Sequence, residues 1–271
     1  MIVILAALYE EAATLLRRGR FRSAKAPDGL SAYYSHSTTG HVMMDKAVIV
    51  SGAGAEKAKA AAEWGIAEHR PEAVISLGFG GACRDDIDAG DLVLATEVRR
   101  LEGKPFFWDV QSLGETVKPS PGLLAAARSA VEVAGIDFFM GRIISLPTVA
   151  KTGAMKLWLG QALGAAAVDM ESYYVGQAAA AAGVPFLAVR GIVDTAALEL
   201  PDFVTKMDTG PAVKRLRPVA GHLLRTPSDV GSLARLGRSA LRARKSLAAF
   251  VDELSLEMTE ARTSQVLVVT P

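Results

Sequence analysis

The sequence has little cysteine and little histidine. Its 271 residues include one cysteine, Cys83, and four histidines. One cysteine cannot form an internal disulfide, and no Cys or His cluster has metal-ligand spacing, which excludes disulfide-rich secreted domains and zinc modules. With so few histidines, a nucleophilic role for Cys83 is disfavoured. We therefore expect a protein of a reducing compartment that holds neither a metal nor another cofactor.

Long apolar runs and an excess of one charge are also missing. No stretch of about 18 residues is apolar without a charge, and the start, MIVILAALYEEA, lacks the basic residues of a secretion signal. The formal net charge of +1 by itself indicates no nucleic-acid partner. With 50% hydrophobic and 22% charged residues, the composition is that of a globular protein, which we expect to be cytoplasmic.

Apolar runs typical of buried strands alternate with helical stretches up to residue 194. Such alternation predicts an α/β fold with a central mixed sheet that has helices on both faces. The predicted strands are MIVILAAL, VMMDKAVIV, EAVISLGFGGA, DLVLATEV, FFMGRIISLPTV and VPFLAVRGIVD. The predicted helices are EEAATLLRRG, the alanine-rich stretch after SGAG, PGLLAAARSAVEVAG, MKLWLGQALG and VDMESYYVGQAAAAAG.

Basic residues are concentrated towards the C-terminus. Between Lys214 and Lys245 there are nine basic residues and one acidic residue, so the rest of the chain is acidic. The apolar residues of this segment recur with loosely helical spacing. A basic amphipathic helix can lie on an anionic membrane surface, or it can pack, solvated, on the acidic body of the protein.

Four charges interrupt the otherwise apolar segment 165–194. Asp194 ends a buried strand, where carboxylates of α/β sheets face the ligand crevice, although a cap or loop acid is an equal alternative. Arg190 lies four residues earlier on the same strand face, which predicts a pair with Asp194. Asp169 and Glu171 flank Met170, and this pattern suits either a sugar-binding turn or a helix N-terminus.

Two further features border the first and third predicted strands. Glu10 or Glu11 could reach the crevice, although acids are common in a first helical turn. The glycines of SGAGAEKA and GFGGA do not complete a dinucleotide-binding motif, so close approach of the backbone to a ligand is the better interpretation.

Taken together, these stretches resemble the purine nucleoside phosphorylase and nucleosidase superfamily, which includes methylthioadenosine/S-adenosylhomocysteine nucleosidases and futalosine hydrolases. The matching blocks are, in order, ILAALYEEA, SGAGAEKA, ISLGFGGACRDDIDAGDLVLATEV and AVDMESYYVGQAAAAAGVPFLAVRGIVD. The resemblance implies a three-layer nucleoside phosphorylase-like fold. It also implies a catalytic domain over residues 1–200 and a basic helical extension over 201–271 that packs on the same domain.

The resemblance assigns a role to each candidate site residue. Asp194 matches the acid that protonates purine N7, and Glu11 matches the acid that orients the attacking water. The acid at the base, Asp194, and the carboxylate at the sugar, Glu171, would both stabilise an oxocarbenium-like state. The substrate-binding matches are Glu171 and Met170 at the ribose, Arg190 near the site, Gly78 and Gly80 with Phe79 between them in a loop beneath the ribose, and Val149 in the adenine-facing segment LPTVAK.

The nucleophile is predicted to be water rather than phosphate. Hexameric phosphorylases of the family hold phosphate with an arginine and a serine at the places where this chain has Ser76 and Phe79. Without that guanidinium a phosphate dianion lacks its partner, although Arg84 is an alternative cation. Related nucleosidases have serine in place of Phe79 and Val193, which makes this pocket more apolar than theirs.

The C-terminal segment resembles that of the hopanoid-associated branch of the family, which implies adenosylhopane as the substrate. A soluble methylthioadenosine or futalosine nucleosidase and a phosphate-dependent phosphorylase are the alternatives. A nucleotide- or lipid-binding module without turnover is disfavoured, because it would not need all of Glu11, Glu171 and Asp194. Relatives of the family are oligomers, so we expect a homo-oligomer.

Overall fold

The structure is a computed structural model that describes residues 1–35, 44–102, 113–199 and 230–269. The strands are β1 Ile2–Ala6, β2 Arg22–Ala24, β3 Ser31–Ser35, β4 Lys46–Val50, β5 Ala73–Ala82, β6 Leu92–Leu101, β7 Leu113–Val117, β8 Phe138–Ser145, β9 Ala165–Asp169 and β10 Phe186–Asp194. The helices are α1 Tyr9–Arg18, α2 Ala55–His69, α3 Pro121–Val133, α4 Gly153–Leu163, α5 Ser172–Ala181 and α6 Val230–Val269.

All of these strands belong to one mixed sheet. Its order is β10-β6-β8-β9-β5-β1-β4-β3-β2, with β7 paired to β6 and an additional pairing between β10 and β5. That additional pairing closes β5, β10, β6, β8 and β9 into a ring. Strands β1, β4, β5 and β10 run parallel, so their carboxyl ends meet at one edge of the sheet.

The sheet is covered on both faces because its central strands are apolar on both faces. In β1, Ile2 and Ile4 join the cluster that includes residues of α1, α3 and α6, whereas Val3 and Leu5 join the cluster that includes residues of α2 and α5. Such double burial gives a continuous apolar run instead of alternation. The predicted three-layer α/β fold with a central mixed sheet is confirmed.

The prediction of a helix over VDMESYYVGQAAAAAG is partly wrong. Residues Ala165–Asp169 form β9, which is buried throughout, and α5 begins only at Ser172. Alanine favours helices, but a fully buried run of small residues also fits between two strands. Strands β2, β3 and β7 were not predicted from the sequence, because they are short and partly exposed.

The 40-residue helix α6 packs on the body through its middle part. Leu247, Phe250, Val251 and Leu254 are buried, and α6 contacts α1, α3 and β10. Arg235, Arg238 and Leu241, nearer the start of α6, are exposed. Residues 201–229 lie outside the described part, so the domain boundary at residue 200 stays a prediction. In the described residues no helix is long and apolar enough to cross a membrane.

Helix α4 provides a test of how closely the layers are packed. A Cβ atom on Gly160 would collide with the carbonyl oxygen of Cys83, which is backbone and cannot move aside alone. We expect Gly160→Ala to destabilise the fold by about 1–3 kcal/mol through overpacking. Urea unfolding measures this difference.

The matched control is Gly122→Ala in α3, where a Cβ atom would meet nothing within 4 Å. This exchange should leave stability unchanged or raise it by up to about 1 kcal/mol, since alanine favours helix over glycine. Equal unfolding free energies for the two variants would show that α4 does not pack closely against the Cys83 backbone, directly after β5.

Candidate active site

Glu11 is the acid of the first helix that reaches the end of the sheet. It is 6% exposed and lies in the first turn of α1. Its Oε2 accepts a hydrogen bond from the Leu8 N–H at 2.8 Å, and its Oε1 accepts one from the Phe79 N–H at 2.8 Å. Burial raises the pKa of Glu11, while these hydrogen bonds and the charge of Arg190 oppose the rise. The carboxyl group is therefore fixed between α1 and β5.

A small cavity brings together several of the predicted site residues. It is lined by Leu5, Ala6, Ala7, Glu11, Ser51, Ala58, Ser76, Leu77, Gly78, Glu171, Val175 and Arg190. They come from the carboxyl end of β1, the residue after β4, the middle of β5 and of β10, the turn after β9, and helices α1, α2 and α5. Two carboxyl groups thus share one concave site at the edge of a parallel sheet, where α/β folds bind ligands.

Arg190 pairs with Asp169 inside the protein. Its Nη2 lies 2.6 Å from Asp169 Oδ2, and its Nε donates to the same oxygen at 2.8 Å. Its other N–H groups donate to the carbonyl oxygens of Ser76 and Val189 and to the Ser76 hydroxyl. Asp169 also accepts hydrogen bonds from the Ser145 hydroxyl at 2.5 Å and from the Ser172 N–H at 2.9 Å.

Glu171 lies directly after this network, between β9 and α5. Its Oε1 accepts a hydrogen bond from the Gly54 N–H at 2.9 Å. Burial raises the pKa of Glu171 to about 7, and the charges of Asp169 and Glu11 add to the rise. A carboxyl group with a pKa near neutrality can change protonation as a ligand binds.

The predicted pair between Arg190 and Asp194 is wrong. Against β5, the register of β10 shifts between Ile192 and Asp194, and one extra residue reverses which face a side chain occupies. A Cβ atom on Gly80 would meet Arg190, whereas one on the next residue, Gly81, would meet Asp194. The two charged side chains therefore lie on opposite faces and take different partners.

The partner of Asp194 is Lys156. The Lys156 Nζ lies 2.8 Å from Asp194 Oδ2, and the two residues are 0% and 5% exposed. Burial raises the pKa of Asp194, while the charge and hydrogen bond of Lys156 oppose the rise. Sequence reasoning missed Lys156, because one lysine in an apolar helical stretch gives no signal of the strand end that it contacts.

The glycines of GFGG make room for protein side chains. Gly78 and Gly80 lie in strand β5, as the apolar pattern predicted, whereas the family resemblance implied a loop beneath the ribose. A Cβ atom on Gly78 would lie 2.8 Å from Glu11 Oε1, and one on Gly80 would lie 3.0 Å from the Arg190 Cβ. These glycines therefore admit Glu11 and Arg190 to the site.

Four predicted substrate-binding residues are absent from the cavity lining, namely Gly80, Phe79, Met170 and Val149. Phe79 packs against the apolar cluster on the α1 side and contributes its backbone N–H to Glu11. Met170 lies half-buried between β9 and α5, and Val149 lies half-buried in the loop between β8 and α4. Asp194 is likewise outside this lining.

Two residues weighed for other chemistry lie elsewhere. Arg84 pairs with Asp86 at 2.6 Å and lines a separate surface cavity that includes Met140 and Gly160. Cys83 is buried, and burial raises the pKa of its thiol to about 12, so the thiolate is scarce at neutral pH. Among the described residues, no cluster of His, Cys, Asp or Glu could hold a metal ion.

Solved structures of a nucleosidase and of a futalosine hydrolase share this arrangement of strands and helices. The 5′-methylthioadenosine/S-adenosylhomocysteine nucleosidase of Neisseria meningitidis superimposes with a TM-score of 0.69 at 19% identity, covering 93% of this chain and 97% of that one. The futalosine hydrolase of Helicobacter pylori gives a TM-score of 0.67 at 21% identity, with 93% and 97% covered. These likenesses establish the fold.

Sequence comparison also finds nucleosidases among the proteins that are similar to this chain. The 5′-methylthioadenosine/S-adenosylhomocysteine nucleosidase of Chromohalobacter salexigens is 27% identical over 215 residues, which cover 73% of this chain and 86% of that protein. The nucleosidase of the same name from Shewanella sp. (strain MR-7) is 27% identical over 164 residues, covering 58% and 70%. The family model described as the phosphorylase superfamily matches residues 1–226, and the chain therefore belongs to that superfamily.

Proposed function

We propose that the chain is a purine N-ribosyl hydrolase that releases adenine from a 5′-substituted adenosine. The observation that carries this proposal is the cavity that Glu11, Glu171 and Arg190 line together. Glycosidic cleavage passes through an oxocarbenium-like state, and carboxylates beside the sugar stabilise the positive charge of that state. The named activity of the relatives, adenine nucleoside cleavage, agrees with this chemistry.

Each carboxyl group has a defined task in the proposed reaction. Asp194 donates its proton to N7 of the purine, so that the electron pair of the N9–C1′ bond can leave with the base. Glu171 accepts hydrogen bonds from the ribose hydroxyls. Water adds to C1′ and gives its proton to Glu11, whose raised pKa suits a proton acceptor. The products are adenine and the free 5′-substituted ribose.

The charges around the cavity favour water over phosphate. Of the described residues that line it, Arg190 is the cation, and its N–H groups are already bound to Asp169, Ser76 and Val189. Arg84 is bound to Asp86 at the surface. A phosphate dianion beside Glu11 and Glu171 would therefore meet like charge without a free guanidinium.

Within this class we propose adenosylhopane as the preferred substrate. The support is the resemblance of the basic C-terminal segment to the hopanoid-associated branch. Methylthioadenosine, S-adenosylhomocysteine and futalosine remain the alternatives, and the names of the relatives favour them.

Location and assembly are further proposals. The protein would be cytoplasmic and homo-oligomeric, and it would touch an anionic membrane through the exposed start of α6. The exposed Arg235, Arg238 and Leu241 support that contact. The middle of α6 is unavailable for it, because its apolar residues are already packed on the protein body.

Asp194→Asn tests the proton donor. The amide keeps the shape of the side chain but cannot donate an acidic proton, so we expect adenine release to fall by about 10²–10⁴-fold while nucleoside binding is retained. Single-turnover release of adenine and equilibrium binding of methylthioadenosine measure the two effects. Release at the wild-type rate would refute the assignment.

Incubation with adenosine, methylthioadenosine and a 5′-alkyl adenosine, each with and without phosphate, tests the reaction type. We expect free adenine from all three at rates that do not depend on phosphate, with the largest kcat/KM for the 5′-alkyl compound. A requirement for phosphate would identify a phosphorylase. If methylthioadenosine had the highest kcat/KM, the lipid nucleoside would be excluded as the preferred substrate, while the proposed hydrolase activity would stand.

Glu171→Gln tests whether the buried carboxyl group of Glu171 makes the stability of the protein depend on pH. The pKa of Glu171 is raised from 4.5 to about 7, so its contribution to stability is present below pH 4.5 and is lost as pH rises through 7. The glutamine variant has no charge to bury. Its unfolding temperature should therefore exceed that of the wild type by more at pH 8 than at pH 5.

The same variant should lose adenine release by about 10- to 100-fold, since hydrogen bonds between ribose hydroxyls and a charged group are lost. Glu63→Gln on the exposed face of α2 is the control, and its effect on stability should stay within about 0.5 kcal/mol at both pH values. If the unfolding temperatures of the Glu171→Gln variant and the wild type changed in parallel with pH, Glu171 would not be the buried titrating group.

A further inference from the structure

Lys156 is a buried lysine whose ammonium group donates all of its hydrogen bonds to the end of β10 and the segment that follows it. It is 0% exposed in α4. Its Nζ donates to Asp194 Oδ2 at 2.8 Å, to the Thr195 carbonyl oxygen at 2.5 Å and to the Leu198 carbonyl oxygen at 2.8 Å. An ammonium group has three N–H donors, so none is left over. A buried charge is tolerated only when it is paired in this way.

The surroundings of α4 bring Lys156 to this position. A Cβ atom on Gly153, at the start of α4, would lie 2.8 Å from the Ala196 carbonyl oxygen. The helix therefore begins in direct contact with the segment that follows β10. The Thr152 hydroxyl accepts a hydrogen bond from the Met155 N–H at 3.2 Å and fixes that first turn. The loop before it carries Val149, in the segment predicted to face adenine.

Few other charges act on Asp194. The Cys83 thiol is the second titratable group near the pair, and burial keeps it neutral, with a pKa of about 12. From α6, the side chains that face β10 at Gly191 are Ala243 and Leu247, which are apolar. Lys156 is therefore the charge that opposes the effect of burial on Asp194.

We propose that Lys156 is a positioning residue for Asp194: it holds Oδ2 and ties the segment after β10 to α4, the helix that follows the loop predicted to face adenine. This inference rests on the proposed function. When Asp194 gives its proton to N7, it becomes a carboxylate, and the ammonium group of Lys156, 2.8 Å from Oδ2, compensates the new negative charge. Asp194 takes a new proton from water after adenine has left. Lys156 thus makes a buried carboxyl group a stronger acid.

Lys156→Met tests the charge. Without the ammonium group Asp194 keeps its proton to higher pH, so the alkaline limb of kcat/KM should move up by at least about one pH unit. The value of kcat at the optimum should fall by about tenfold or more, and KM should change less. An alkaline limb at the wild-type pH would overturn the proposal.

Lys46→Met is the matched control. Lys46 is also a buried lysine, 3% exposed, and its Nζ donates to the Ser255 hydroxyl at 3.1 Å. It begins β4, at the opposite edge of the sheet from the cavity. This variant should lose stability but keep the wild-type pH profile. If the alkaline limb of kcat/KM also shifted in Lys46→Met, the effect of Lys156→Met would be explained by a general loss of packing, and the proposal would be overturned.

If Lys156→Met does not fold, Lys156→Arg tests whether Lys156 positions Asp194. The guanidinium keeps the charge but places it differently, so the alkaline limb should stay within about half a pH unit while kcat falls at least about fivefold. A folded arginine variant with the wild-type kcat would overturn the positioning role.

A readout that needs no turnover separates this inference from the proposed function. In protein labelled with ¹³C at aspartate carboxyl groups, the Asp194 resonance is assigned by its loss in Asp194→Asn. It should titrate at higher pH in Lys156→Met than in the wild type. If no nucleoside were cleaved by the wild type, the proposed function would fail while this titration still tested the coupling. An unchanged titration would overturn the coupling even if adenine were released.

Discussion

The ion pair between Arg190 and Asp169 is the interaction on which the site depends, because it connects elements that are distant in sequence. Arg190 belongs to β10 and also binds Ser76 of β5, while Asp169 ends β9 and accepts a hydrogen bond from Ser145 of β8. Ser145 in turn accepts one from the Tyr173 N–H at the start of α5. Removing one member of such a buried pair typically costs about 3–5 kcal/mol, since the other charge is left without compensation.

The layers of the fold could be predicted because a strand that is covered on both faces appears in the sequence as a continuous apolar run. The run Ile2–Leu5 is apolar throughout since the strand is covered on both faces, and the same signal marks β5, β6 and β10. Strand β9 could not be recognised in this way. Its residues 165–168 are alanines and one valine, whose small side chains suit a crowded strand as well as a helix.

The site could be predicted only in part. Which charged side chains pair depends on the register between neighbouring strands, and one sequence does not reveal that register. Asp169, Glu171, Arg190 and Asp194 stood out as charges in an apolar segment, and the structure buries or half-buries all of them. A single bulge before Asp194 changed its partner from Arg190 to Lys156. The spacing left Glu10 and Glu11 open, the family resemblance selected Glu11, and the structure places its carboxyl group against the Phe79 N–H of β5.

The closed ring of β5, β10, β6, β8 and β9 has a consequence for how such a protein can diversify. A strand that pairs on both sides cannot slide by two residues without breaking hydrogen bonds to two neighbours at once. The spacing between the ends of β9 and β10 is therefore held by the neighbours of both strands. A backbone change that reshapes the cavity meets less resistance in the connections between the strands than within the strands of the ring.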